Sequence, residues 1–144
     1  MSDPEDRVSD EQARHAAAAM FADDAASRAL GIVIDEVGPG RATARMRVTA
    51  AMVNGHAIAH GGYIFLLADT AFAFACNTYG PTVAAGAEVV FAERVREGDE
   101  LIAVAVERLT FGRNGVYDVT VRNAAGIVVA EFRGHSRRVP KRGD

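Results

Sequence analysis

The chain has 144 residues, of which 49% are apolar and 24% charged, with a formal net charge of −3. That size and balance suit one globular core, leave too little chain for two, and differ from disordered or fibrous proteins. The negative balance argues against a general nucleic-acid binder, which needs a surplus of Lys and Arg to neutralise phosphates.

A single domain over residues 1–144 is therefore expected, with residues 1–30 as a helical N-terminal arm. The opening Ser2-Asp3-Pro4-Glu5-Asp6 is acidic, the reverse of a targeting segment. Ser9 and Asp10 then offer caps for a helix to about Phe21, built from strong helix formers such as Ala and Gln.

From Gly31 the pattern becomes strand, turn, strand: Ile32-Val33-Ile34, then Gly38-Pro39-Gly40, then residues 41–48. In the second run Arg41, Thr43, Arg45 and Arg47 alternate with Ala42, Ala44, Met46 and Val48. A period of two puts the arginines on a solvated face and the apolar groups on a core face.

Residues 52–62 form a polar, glycine-containing loop, and residues 63–79 follow with apolar groups on nearly every side of a helix. A helix greasy all round must be buried all round, which in a small domain means being wrapped by a sheet. The apolar stretch 64–76 is interrupted by Asp69-Thr70 and is too short to span a bilayer.

Four more strands are expected at about 84–94, 100–111, 115–123 and 127–139, joined by turns containing Gly98, Gly112 and Gly126. Tyr117, Val119 and Val121 alternate with Asp118, Thr120 and Arg122, again a half-buried pattern. Two strands, a buried helix and four strands make an α+β hot-dog fold, an antiparallel sheet wrapped around one long helix.

The single cysteine, Cys76, lies in the apolar run Ala73-Phe74-Ala75. It permits no intramolecular disulfide, suits a cytoplasmic location, and reads as a core residue, not a nucleophile. The tail holds Arg133, Arg137, Arg138, Lys141 and Arg142 within ten positions, either a solvated strand end or a contact for ligand phosphates.

Asp69 is the anomaly. It lies about two turns inside the greasy helix, too far from Gly61-Gly62 to be its N-cap. Burying it among Phe65, Leu66, Leu67 and Phe72 costs several kcal/mol unless donors compensate (about 2–7 for a polar group without partners). The competing reading starts a helix at Asp69-Thr70, with Asp69 as a cap and residues 63–68 as a strand. His56 and His60, four apart, offer a second alternative as metal ligands, which would need further Cys, His or carboxylate groups.

Asn54-Gly55-His56, His60-Gly61-Gly62 and the run Leu67-Ala68-Asp69-Thr70-Ala71-Phe72-Ala73-Phe74-Ala75-Cys76-Asn77 closely resemble the PaaI-type thioesterases of bacterial phenylacetic acid degradation, in spacing as well as letters. The resemblance continues through Gly115-Val116-Tyr117-Asp118 and Phe132-Arg133-Gly134-His135-Ser136-Arg137, covering nearly the whole chain.

It implies hydrolysis of an acyl-CoA, phenylacetyl-CoA or a ring-hydroxylated relative, without metal or redox cofactor. It also implies a homodimer assembling into a homotetramer, with each site joining the aspartate of one subunit to the His-Gly loop of its neighbour. Carried over residue by residue, Asp69 is the nucleophile or the base that activates water, the Gly61 amide polarises the thioester carbonyl, and Asn54 orients the reacting groups. His60 and Thr70 support them, and Gly62 lines the substrate site.

Many relatives carry Arg-Pro shortly after the position of Phe91, where this chain reads Ala92-Glu93-Arg94-Val95-Arg96, and the Phe111-Gly112-Arg113-Asn114 loop shifts its basic residue. Arg94, Arg96, Arg113 and Arg137 are the candidates for the coenzyme A phosphates. A hot-dog enoyl-CoA hydratase or dehydratase and a non-catalytic acyl-CoA sensor are the alternatives.

Overall fold

A computed structural model describes residues 8–140. The acidic residues 2–6 and the basic Lys141 and Arg142 lie outside them.

Helix α1 (Asp10–Asp23) starts where expected: the Ser9 side chain accepts from the Gln12 amide while the Gln12 side chain accepts from the Ser9 amide, a reciprocal cap that satisfies two otherwise orphaned donors. It runs two residues past the expected end. A short second helix, α2 (Ala25–Ala29), follows under an Asp24 cap. Together they form the described part of the arm, and Phe21 packs against Phe74 at 6.2 Å between ring centroids.

Strands β1 (Val33–Gly38) and β2 (Arg41–Arg47) form the predicted hairpin. Ala42, Ala44 and Met46 point into the core while Arg41 and Arg47 are exposed, the alternation that a period of two requires. The long helix α3 (Gly61–Cys76) begins two residues earlier than predicted and ends in a single 3-10 turn, Asn77–Tyr79. Its start at Gly61 overturns the alternative in which Asp69 capped a later helix.

Strands β3 (Thr82–Phe91), β4 (Glu100–Phe111), β5 (Asn114–Asn123) and β6 (Val128–Arg138) complete a six-stranded antiparallel sheet in the order β1-β2-β4-β5-β6-β3. The first of these differs most from expectation. It begins at Thr82, whose amide donates to Asn77 Oδ1 at the end of the helix, and ends at Phe91, where the Ala92 and Glu93 amides both turn to the Val129 carbonyl. Register shifts in the β1-β2, β4-β5, β5-β6 and β6-β3 pairings bend and twist the sheet as bulges do.

The core explains why α3 sits where it does. On β2 and β4 its floor is Ala42, Ala44, Ala103 and Ala105, all buried, a lane of small side chains that lets the helix approach closely. On β5 and β6 the wall is Tyr117, Val119, Val121 and Phe132, and Phe72 fills the angle between Tyr117 (5.6 Å) and Phe132 (5.8 Å). Each large apolar side chain contributes roughly 1.5–3 kcal/mol by leaving water.

The wrapping is incomplete. Gly62, Phe65, Leu66, Asp69 and Ala73 remain half-buried or exposed while Ile64, Leu67, Ala68, Ala71, Phe72 and Ala75 are buried. The spacing of the first set is helical, so one lengthwise stripe of α3 is left uncovered by its own chain. The expectation of burial on all sides is corrected to this extent, because one six-stranded sheet and one arm do not reach around the whole helix.

Candidate active site

The start of α3 is organised by the loop before it. The Asn54 side-chain oxygen accepts from the amides of His56 (2.9 Å) and Ile58 (3.4 Å), and the Asn54 amide donates to the Ile58 carbonyl. Ala57 takes the left-handed backbone at the tip, φ 60°. The loop is then tied down at its base, where the Ala59 amide donates to the Val95 carbonyl and the His60 amide to the Met52 carbonyl.

His60 is the helix N-cap, with Nδ1 accepting from the Gly62 amide at 3.0 Å. The Gly62 amide is thereby committed. The Gly61 amide, first in the helix, has no intrahelical acceptor and sits at the positive end of the helix dipole, a natural donor to an oxygen that gains negative charge. Residue 61 must be small for a tertiary reason: a Cβ there would meet the Phe91 ring at 2.8 Å.

Asp69 projects from the uncovered stripe. Among the described residues its carboxylate has no hydrogen-bond partner, and burial alone pushes its pKa above the usual carboxylate range. Within one chain it is also far from Gly61: eight residues at about 1.5 Å each separate them by ~12 Å along the helix axis. A carbonyl held at about 3 Å by the Gly61 amide is therefore out of reach of the same chain's Asp69. The two groups meet on one substrate only if they come from different protomers.

Thr70 points elsewhere. Its hydroxyl is buried and pairs with the Ser27 hydroxyl of α2 at 2.9 Å, so it faces the protein interior. The four candidate arginines are also separated. Arg94 and Arg96 flank buried Val95, whose carbonyl holds Ala59, and so lie at the Gly61 end of α3. Arg113 and Arg137 lie where the β4-β5 turn meets β6, beside Thr82. The length of β3 between these places is ~30 Å at about 3.3 Å per residue, too far for one chain to gather all four on one group of phosphates.

His56 is exposed, and no group of three or more His, Cys, Asp or Glu residues suited to a metal occurs among the described residues. Cys76 is buried and its thiol pKa is pushed up to about 12, chiefly by that burial, so it is a packing residue. A cavity of ≈ 600 Å³ lies between α1 and β1, lined by Arg14, Phe21, Val33 and Arg41 among others. It contains none of the predicted site residues; in a single chain the Asp69 surface is an open stripe.

Sequence reasoning missed two neighbours of the site, Phe91 against Gly61 and Ser27 against Thr70. Neither has a local signal, because each meets its partner only through the tertiary fold.

The family described as the thioesterase superfamily matches residues 56–130, the stretch from the capping loop through α3 to β6. Over 122 residues, 84% of this chain and 87% of the relative, the sequence is 45% identical to acyl-coenzyme A thioesterase PaaI of Escherichia coli K12. The chain belongs to the thioesterase superfamily.

Within it the chain is a PaaI-type hot-dog protein and a thioester hydrolase. The structure of the E. coli PaaI protein from the phenylacetic acid degradation operon superposes with a TM-score of 0.89 at 43% identity, covering 91% of this chain and 96% of that one. A mutant of the phenylacetic acid degradation protein PaaI from Thermus thermophilus gives 0.76 at 36% identity, covering 78% and 97%. The motif pair Gly115-Val116-Tyr117-Asp118 and Phe132-Arg133-Gly134 is explained by packing. Asp118 takes a bidentate bond from Arg133 (2.7 and 3.0 Å) on the outer face of the sheet, and a Cβ at Gly134 would meet the Phe72 ring at 2.7 Å.

Proposed function

We propose that this thioesterase hydrolyses phenylacetyl-CoA or a ring-hydroxylated phenylacetyl-CoA to the free acid and coenzyme A, serving phenylacetate catabolism in the cytoplasm. The observation that carries the site assignment is the half-buried, unpartnered Asp69 on the uncovered stripe of α3. The likeness to the two PaaI proteins supports the substrate class. The working unit is a homodimer, pairing further into a tetramer, in which Asp69 of one protomer faces the His60-Gly61 turn of the other.

The Gly61 amide stabilises the negative charge that grows on the thioester oxygen. A carboxylate held above its usual pKa and short of donors is a better base and nucleophile than one in water. Asp69 either removes a proton from the attacking water or attacks the carbonyl carbon itself. In both routes the carbon–sulfur bond breaks and the thiol leaves with a proton. By the first, water supplies the new carboxylate oxygen; by the second an Asp69 oxygen becomes it, through a mixed anhydride that water opens at the Asp69 carboxyl carbon, leaving the water oxygen in Asp69. A single turnover in 18O-labelled water separates them, since only direct attack leaves label in Asp69.

Asn54, with its oxygen folding the loop, has its amide nitrogen left to orient substrate or water. Of the arginines, Arg94 and Arg96 share an end with Gly61 and are the proposed phosphate contacts from that protomer; Arg113 and Arg137 reach the same nucleotide only from another. Edge strand β3 supports the dimer. Val83, Val90 and Phe91 are exposed on it, and an apolar edge with a single charge, Glu88, invites pairing with a second edge.

The test is thiol release from phenylacetyl-CoA by the wild type and by Asp69→Asn, across a panel of aryl- and alkyl-CoA esters. Asp69→Asn is expected to lose at least about 10²-fold in kcat with the fold intact. Unchanged turnover refutes the assignment, and hydration of crotonyl-CoA without thiol release returns the chain to the hydratase reading.

A further inference from the structure

We infer that Ser27, in the N-terminal arm, is a positioning residue for the proposed Asp69 chemistry, acting through Thr70. The inference rests on the reading of Asp69 given above.

Helix α3 is held in its sheet almost wholly by apolar contacts, which have no preferred direction and allow small slides and rotations at little cost. Asp69 itself has no partner to fix it among the described residues. The directional contact nearest to it is the Ser27–Thr70 hydroxyl pair, 2.9 Å apart with both residues buried. Thr70 is the next residue along the helix, so a slip or rotation that breaks this bond moves the Asp69 carboxylate with it.

Ser27 is well placed to serve as the fixed end. Its amide donates to Asp24 Oδ1 at 3.0 Å, and its carbonyl accepts from the amides of Leu30 (3.2 Å) and Ile32 (3.1 Å), with Ile32 buried just before β1. Every polar group of Ser27 is used, and only the hydroxyl reaches α3. Without it the Thr70 hydroxyl turns back to the carbonyl four residues earlier, at Leu66, an arrangement that bends helices at the turn carrying Asp69.

Ser27→Ala and the isosteric Thr70→Val are measured alone and combined, beside Asp69→Asn. Each single variant is expected to lower kcat by about tenfold, for a shift smaller than the misplacement of about 1 Å that can cost about 10²-fold. KM should stay within about twofold, and the double variant should fall no further than either single, because both remove one interaction. Thr70→Val keeps the question open to measurement if Ser27→Ala folds poorly. A kcat within about twofold of wild type for Thr70→Val, a loss confined to KM, or multiplying losses in the double variant overturns the inference. Full activity in Asp69→Asn instead overturns the reading on which it rests, so the two failures are distinct.

Discussion

At the scale of single residues, Asp69 combines two properties that pull against each other. Burial without donors makes its ionised form unfavourable in the folded chain, which favours reactivity and disfavours stability. The sign follows from linkage. Its folded pKa lies above the unfolded one, so the folded chain holds the proton more tightly, and stability falls as pH rises from the unfolded value through the raised folded value. Asp69→Asn should therefore raise Tm at neutral pH, and raise it less below the ordinary carboxylate range. The wild-type kcat should climb along a limb set by the raised pKa. Thermal melts of both forms across acid and neutral pH, with the kcat profile, check this; a Tm lowered at neutral pH by the substitution contradicts the desolvated site.

At the scale of elements, the helix and sheet are held in register by close approaches that glycine permits. Gly134 on β6 is the sharpest case. An added Cβ would lie 2.7–2.8 Å from three atoms of the Phe72 ring, and that ring, wedged between Tyr117 and Phe132, has nowhere to retreat. Gly134→Ala is expected to cost about 1–3 kcal/mol as overpacking, read as a lowered urea midpoint with unchanged slope. A stability equal to wild type would mean that Phe72 can move. The alternation in β2 and β5 is legible in the sequence because period two is a local property of the chain. The end of β3 at Phe91, short of the predicted Arg94, is not, since it depends on Ala92 and Glu93 turning to Val129 in another strand.

At the scale of the whole molecule, the ~12 Å between Gly61 and Asp69 along α3 means that, with the roles proposed for them, a lone protomer is an incomplete catalyst. Complementation tests this directly. Gly61→Pro, made together with Phe91→Ala to admit the added Cβ that would otherwise meet the Phe91 ring, deletes the amide at the first helical position, where the proline backbone is tolerated, and Asp69→Asn deletes the carboxylate. Each alone should be nearly inactive. Unfolded together and refolded, they should regain roughly a quarter of wild-type activity, because half of randomly paired dimers are mixed and each mixed dimer keeps one intact site. A mixture as inactive as its components would place both groups of each site in one chain.

Local pattern was enough to determine the α+β hot-dog arrangement, the apolar helix, and Asp69 as its misplaced charge, because periodicity and composition act over a few residues and need no knowledge of what lies opposite. The motif letters also carried the family. Only the tertiary structure decided that α3 keeps one bare stripe, that Thr70 turns inward to Ser27, and that the four arginines divide between two ends of a strand. These depend on strand register and on which side chains meet across long stretches of chain, and a sequence read along its length has no measure of that distance.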